Sequence, residues 1–243
     1  MSSRVSAPPY FVTTRWSVVL AAQGHVTAEA RLALETLCRA YWPPLYAYAR
    51  RRGSAPHDAE DVTQGFFAKL LEKDWLDSVQ RERGRFRQFL LMAFKRFLAN
   101  EWDAAHRLKR GGAQTFVPLD TALAERLYVR ESDPAATADE VYERGWVLAL
   151  LDRVLATLRS EFVAGGKEPD FDVLKPHLTA GRGEIPYAAL AAQLGSSEGA
   201  ARVAVHRLRK RFREIFRVEI AATVAADADI ADEQAHLLAI LAR

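Results

Sequence analysis

The chain has a single cysteine, Cys38, in 243 residues. No intramolecular disulfide can form, so a fold stapled by bridges is excluded. Cys38 falls within an apolar helical pattern, which predicts a buried and unreactive thiol. The six histidines are scattered, with no pair at i, i+3 or i, i+4. That spacing is what a helical metal site uses, so no metal is expected, and no other cofactor. No apolar run approaches the ~18 residues that a membrane span needs. The first residues lack a basic stretch followed by an apolar one, so the expected setting is cytoplasmic, with no membrane partner. Alternating strand patterns and hairpin turns are also missing. No nucleophile elbow, phosphate loop or paired catalytic carboxylates appear, and an enzyme is not expected.

Net charge is only +3, but its distribution is uneven. Residues Arg81 to Arg110 hold nine basic and three acidic side chains, and Glu198 to Arg217 hold seven and two. Between them, Ala113 to Glu143 carries two basic and seven acidic residues, and Val218 to Arg243 carries one and five. Two basic blocks separated by an acidic one predict two anion-binding surfaces on different parts of the chain.

Helical periodicity dominates, and the expected fold class is all-α. It takes the form of two small helical domains joined by an acidic linker, with short helical extensions at both ends. A short helix is expected from about Thr14. Further helices are expected at Ala28–Arg51, Ala59–Leu71, Arg85–Trp102, Tyr142–Phe162, Phe171–Leu178, Tyr187–Leu194 and Ser197–Phe216, with a last one over "DEQAHLLAIL". Gly and Pro clusters at "RRGSAPHD", "KRGGAQTFVP", "ESDPAA", "AGGKEPD" and "TAGRGEIP" mark the breaks. The linker can hold a short helix at "TALAERLYV".

The sharpest local signal is "YAALAAQLGSSEGAARVAVHRLRKRFREIF". Gly195 can end one helix and Ser197 can cap the next, leaving the short glycine-containing turn of a helix-turn-helix. On the second helix Ala201, Val205, Leu208 and Phe212 form an apolar stripe. Arg202, His206, Arg209, Lys210 and Arg213 lie largely on the other side, which suits a DNA major groove.

In the N-terminal half, "SAPHDAEDVTQGFFAKLLEKDW" starts a helix after Pro56 with acids in its first turn. The block "RERGRFRQFLLMAFKRFLANEWDAAHRLKRGG" alternates basic residues with aromatics. Aromatics at helical spacing mostly belong to a core. Cations along one side with an aromatic at the edge would also suit single-stranded DNA, through stacking and phosphate contacts.

The order of these segments resembles a bacterial RNA polymerase sigma factor, most closely the compact extracytoplasmic-function group that keeps only regions two and four. "DAEDVTQGFF" is similar to that family's "DAEDLVQEVF" pattern, and the C-terminal unit to its "YEEIAEILGISEGTVKSRLHRARKRLRE" pattern. The opening "TTRWSVVLAAQG" and the acidic tail look like a subgroup common in planctomycete-like bacteria. The resemblance implies that Asp58, Asp61, Gln64 and Phe67 bind core polymerase, at the β′ clamp. Lys95, Arg96, Asn100, Arg107, Lys109 and Arg110 would serve the minus-ten DNA. Ser197, Arg202, His206, Arg209 and Lys210 would serve the minus thirty-five DNA. Partners implied are core RNA polymerase (β′ clamp and β flap), promoter DNA and an anti-sigma factor. Two positions depart from the family: Gly65 stands where it has Glu, and Arg96 where it usually has Asn.

The implied domains are an extension over 1–27, a region two-like domain over 28–112, a linker over 113–141, a region four-like domain over 142–217 and an acidic extension over 218–243. The competing class is a stand-alone helix-turn-helix repressor or activator with a helical sensor domain. It explains Leu190 to Phe216 equally well, but not the basic-aromatic block. The acidic tail complements the basic C-terminal unit and could fold back on it; a helix that simply extends the core fits the tail as well.

Overall fold

The computed structural model describes residues 28–72, 85–100, 124–125, 128–129, 134–181, 183–224 and 226–242. All regular structure among them is helical, as the periodicity predicts. In chain order the α-helices are α1 (Ala28–Arg51), α2 (Pro56–Glu72), α3 (Phe86–Asn100), α4 (Ala138–Ala164), α5 (Glu168–Leu174), α6 (Tyr187–Gln193), α7 (Glu198–Ala221) and α8 (Ile230–Leu241). A 3₁₀ turn follows α5 at Lys175–Leu178, and a second covers Asp227–Asp229. The helix expected from Thr14, residues 101–123 and most of "TALAERLYV" lie outside the described residues.

The chain forms two compact units. One comprises residues 1–150 and 220–243; the other is Leu151–Glu219. The division falls inside α4 and again inside α7.

In the first unit α1 runs through Pro43 and Pro44 without ending. Each proline removes a helical donor and crowds the preceding turn, at about 3 kcal/mol in a helix interior. What holds the helix is burial: Tyr41, Trp42, Leu45 and Tyr46 are all at most 1% exposed. A fully buried large apolar side chain contributes about 1.5–3 kcal/mol, so four of them outweigh the two prolines. The turn to α2 passes through Gly53 at φ +99°, where the Ser54 and Gly53 amides bond back to Ala49 and Arg50.

Helix α2 starts at Pro56, whose missing N–H costs nothing at a first helical position. It buries Ala59, Val62, Thr63, Phe66, Phe67 and Leu70, a 3.6-period stripe. Thr63 satisfies its buried hydroxyl by donating to the Ala59 carbonyl at 2.7 Å. Phe66 is the centre of an aromatic cluster, edge-on to Phe94, Phe97 and Phe67 at 5.0, 5.7 and 5.6 Å between centroids. Phe86, Leu90, Leu91, Phe94 and Phe97 are the buried stripe of α3. Most phenylalanines of the basic-aromatic block therefore serve the core. Cys38 is also core, 4% exposed, and burial pushes its thiol up to about 12.

Helix α4 begins four residues before the expected Tyr142, because Thr137 and Glu140 close a reciprocal cap. The Glu140 amide donates to Thr137 Oγ1 at 3.2 Å, and the Thr137 amide to the Glu140 carboxylate at 2.8 Å. Within the stretch read as a linker, Glu125 takes Arg50 Nε and Nη2 at 2.9 Å each and the Tyr46 hydroxyl at 2.5 Å. Arg51 donates to the carbonyls of Ala136 and Pro134.

The tail's main acid closes the first unit. Glu233 on α8 is fully buried and bonds the Arg87 guanidinium of α3, while Arg85 Nη2 sits 2.7 Å from its other oxygen. Arg87 Nε donates to Glu143 of α4 at 2.9 Å, and the guanidinium lies over the Trp146 ring at 4.5 Å. Burial disfavours the Arg87 charge, but Glu143 and Glu233 overcome it and raise the group above its ordinary value. Of the two readings of the tail, α8 fits the helix that extends the core, with Glu233 on Arg85 and Arg87 of the N-terminal basic block.

In the second unit the buried apolar residues include Val154 and Leu158 of α4 with Phe171, Leu174, Ile185, Leu190, Ala191, Ala201, Val205 and Leu208. The single helix expected over Phe171–Leu178 is instead α5 followed by a 3₁₀ turn. Pro176 has no N–H with which to continue the α-helical ladder, so the chain tightens there.

Candidate nucleic-acid interface

The turn into α7 is closed at both ends by its sequence. Gly195 adopts φ +58°, a left-handed conformation that a Cβ would strain. Its amide bonds the Ala192 carbonyl at 3.3 Å and the Ser196 amide bonds Ala191 at 2.9 Å, the Schellman termination of α6. Ser197 then accepts the Ala200 amide on Oγ at 3.2 Å, capping α7 as the sequence predicts.

Helix α7 is cleanly two-faced. Ala201, Val205 and Leu208 are at most 2% exposed, Phe212 is half-buried, and the stripe continues to Ile215 and Phe216. Arg202, His206, Lys210 and Arg213 are exposed, and Arg217 extends the same row by one turn. Arg202 lies with its Cζ 4.1 Å from the centre of the Tyr187 ring, at the start of α6. Its Nη2 is 3.9 Å from Glu198 one turn earlier.

Arg209 departs from the expected row. Its Nε and Nη2 donate to the His177 carbonyl at 3.0 and 2.7 Å, and Nη2 also to Ala180 at 2.5 Å. The guanidinium thus satisfies one carbonyl of the 3₁₀ turn and one of the loop just after it rather than pointing outward. The reason is helical phase: Arg209 is four residues after Val205 and three before Phe212, at the edge of the buried stripe. Arg211 lies on the far side of α7 and is held by Glu161 and Glu214, with ion-pair distances of 2.6 and 3.0 Å. The hydrogen bond from Arg211 lowers the Glu161 carboxyl below its ordinary value.

The residues implied to bind polymerase lie on α2. Asp58, Asp61 and Gln64 are half-buried. His57 Nε2 is 3.8 Å from Asp61, and Gln64 Nε2 donates to Glu60 at 3.1 Å. Phe67 is corrected: it is 4% exposed, with its ring 6.3 Å from Trp42, so it supports the helix from inside.

The residues implied for the minus-ten DNA are divided. Arg96 is exposed on α3, in a row with Gln88, Met92 and Ala99. Lys95 is half-buried, pairs with Asp139 at 2.6 Å, and lies 5.9 Å from the Tyr48 ring centre. Asn100 ends α3, and its side chain lies outside the described residues, as do Arg107, Lys109 and Arg110. Among the described residues no group of three or more His, Cys, Asp or Glu could hold a metal ion, and no helix is long and apolar enough to cross a membrane.

Sequence reasoning missed Tyr187 and Arg217. Arg217 was legible from its phase with Arg213 and Arg202. The Tyr187 contact joins two helices, and spacing along the chain does not encode it.

Comparison with known proteins adds one finding. Residues 37–108 match the family model of Sigma-70 region 2. This span takes in most of α1, all of α2 and α3, and it supports a sigma factor role in promoter recognition and RNA polymerase binding. No curated protein and no solved structure matches the chain.

Proposed function

We propose that the chain is a two-domain sigma factor of the extracytoplasmic-function group, in the planctomycete-like subgroup, acting in the cytoplasm without catalysis of its own. Its region two docks on the β′ clamp of core RNA polymerase through the Asp58, Asp61 and Gln64 side of α2, and opens the minus-ten DNA with Arg96 and the basic residues that follow α3. Its C-terminal unit is region four, docked near the β flap, with α7 in the major groove of the minus thirty-five element. An anti-sigma factor is a further partner of this reading.

The observation that carries it is the region two match over residues 37–108 in a chain that also holds a capped helix with a row of exposed basic residues, Arg202, Lys210, Arg213 and Arg217. A row of cations along one face of a helix fits a phosphate-lined groove, and its N-terminal members reach base edges. Outward arginines on both α3 and α7 are what contact with two promoter elements requires.

The test is run-off transcription. Purified full-length chain added to bacterial core RNA polymerase is expected to co-elute with it and to direct transcription from promoters mapped by sequencing transcript starts. Binding to duplex DNA without polymerase association or stimulated transcription would overturn the sigma reading.

A further inference from the structure

We propose that Tyr187 is a positioning residue for Arg202, holding its guanidinium over the ring in the pose from which it reads a base edge. The proposal rests on the reading of α7 as a recognition helix.

Arg202 is the first cation of the α7 row and lies nearest its N-terminus, the end of a recognition helix that meets base edges. Its side chain is 60% exposed, so packing alone does not choose its rotamer. Two contacts do. The Cζ atom sits 4.1 Å from the Tyr187 ring centre, and Glu198 lies 3.9 Å from Nη2. The Glu198 contact is long and exposed, so the ring is the stronger constraint. Among the described residues neither Lys210 nor Arg213 of this row lies over a ring; both are simply exposed, as is His206.

The ring is itself fixed. Tyr187 is half-buried at the first position of α6, preceded by Pro186 at φ −77° and by buried Ile185. Proline fixes the backbone on one side, and buried Leu190 and Ala191 anchor the helix on the other. A guanidinium lying over such a ring keeps its edge donors available, and those are the groups that pair with guanine O6 and N7. Holding the arginine before DNA arrives removes part of the rotamer ordering that binding would otherwise require. Arg202 then contributes discrimination between bases, not only attraction to phosphate.

The experiment selects from a duplex pool randomised upstream of a fixed minus-ten element, using the full-length chain bound to bacterial core RNA polymerase. Wild type, Arg202→Ala, Tyr187→Phe and Tyr187→Leu are compared. Arg202→Ala is expected to erase the preference at one or two base positions. Tyr187→Leu, which keeps apolar bulk but has no ring face, is expected to weaken preference at those same positions by roughly two- to fivefold, the scale of an exposed cation–π contact. Tyr187→Phe keeps the ring and is expected to keep the preference. In the double variant Tyr187→Leu with Arg202→Ala, the tyrosine change is expected to add nothing.

Unchanged base preference in Tyr187→Leu overturns the proposal and leaves the recognition-helix reading intact. A uniform loss across all sequences, with a lowered melting temperature, would reduce Tyr187 to a packing residue and overturn it too. If Arg202→Ala weakens binding without altering preference, Arg202 is a phosphate contact and the proposal fails. If wild type enriches no upstream sequence at all, the reading of α7 fails first and takes the proposal with it.

Discussion

Helices α3 and α7 both interleave cations with large apolar side chains, and they put the cations to opposite uses. On α3, Arg87 falls in phase with Leu90, Leu91 and Phe94, and it is carried into the interior at 2% exposure. There it is neutralised by Glu143 and Glu233 and covered by Trp146. On α7, Arg202, Lys210 and Arg213 fall out of phase with the apolar stripe and remain at the surface. Arg209 lies between these cases, at the stripe's margin, and is bonded to backbone carbonyls. Composition is thus a poor guide to what an arginine does. Its angle from the buried stripe decides whether it holds the fold or faces a partner.

The largest effect expected from breaking this contrast is at Arg87. Arg87→Ala takes the 2.9 Å partner from Glu143 and leaves the fully buried Glu233 with Arg85 alone, and should destabilise the first unit by up to about 3–5 kcal/mol. Urea unfolding followed by tryptophan fluorescence measures it; a loss under about 1 kcal/mol would mean the cluster is not holding α3, α4 and α8 together. Arg209→Ala is next, at about 2 kcal/mol from lost charged hydrogen bonds to His177 and Ala180. A thermal melt that does not move would return Arg209 to the outward row. Ser197→Ala removes the cap of α7 at about 1 kcal/mol, and Ser197→Asp should restore it. In the opposite direction, Gly65→Ala should stabilise α2 by up to about 1 kcal/mol. A Cβ there would meet only Phe97 Cζ at 3.5 Å, an ordinary contact, so a destabilised variant would show that the α2–α3 packing has no slack. Smallest in stability are Lys210→Ala and Arg213→Ala, within about 0.5 kcal/mol, as exposed side chains should be. Both should nevertheless weaken DNA binding and make it less salt-dependent, which a filter-binding salt titration reads.

Much of this architecture was legible in the chain. The ends of α1 match the predicted Ala28–Arg51, and the Gly195 and Ser197 chemistry between α6 and α7 appears as predicted. These features are local: a cap, a left-handed glycine and a helical stripe each act within a few residues. The start of α4 was also encoded locally, by Thr137 and Glu140, but the apolar pattern beginning at Tyr142 drew the boundary too late. Phe67 is assigned to polymerase by the resemblance, although it lies in phase with the buried Thr63 and Leu70. What could not be read along the chain are pairings made by folding. Arg87 with Glu233, Arg50 with Glu125 and Arg202 with Tyr187 join residues far apart in sequence, and periodicity has no bearing on them.

The ion pair between Arg87 and Glu233 spans 146 residues. A ribosome adding about 5–20 residues per second needs roughly 7–30 s to cover that distance. Until then α3 has emerged with a cation set among its phenylalanines and no acid from α8 to neutralise it. The residues of the second unit, 151–219, are all made within this interval. The later unit can therefore be synthesised in full before Glu233 is available to join Arg87.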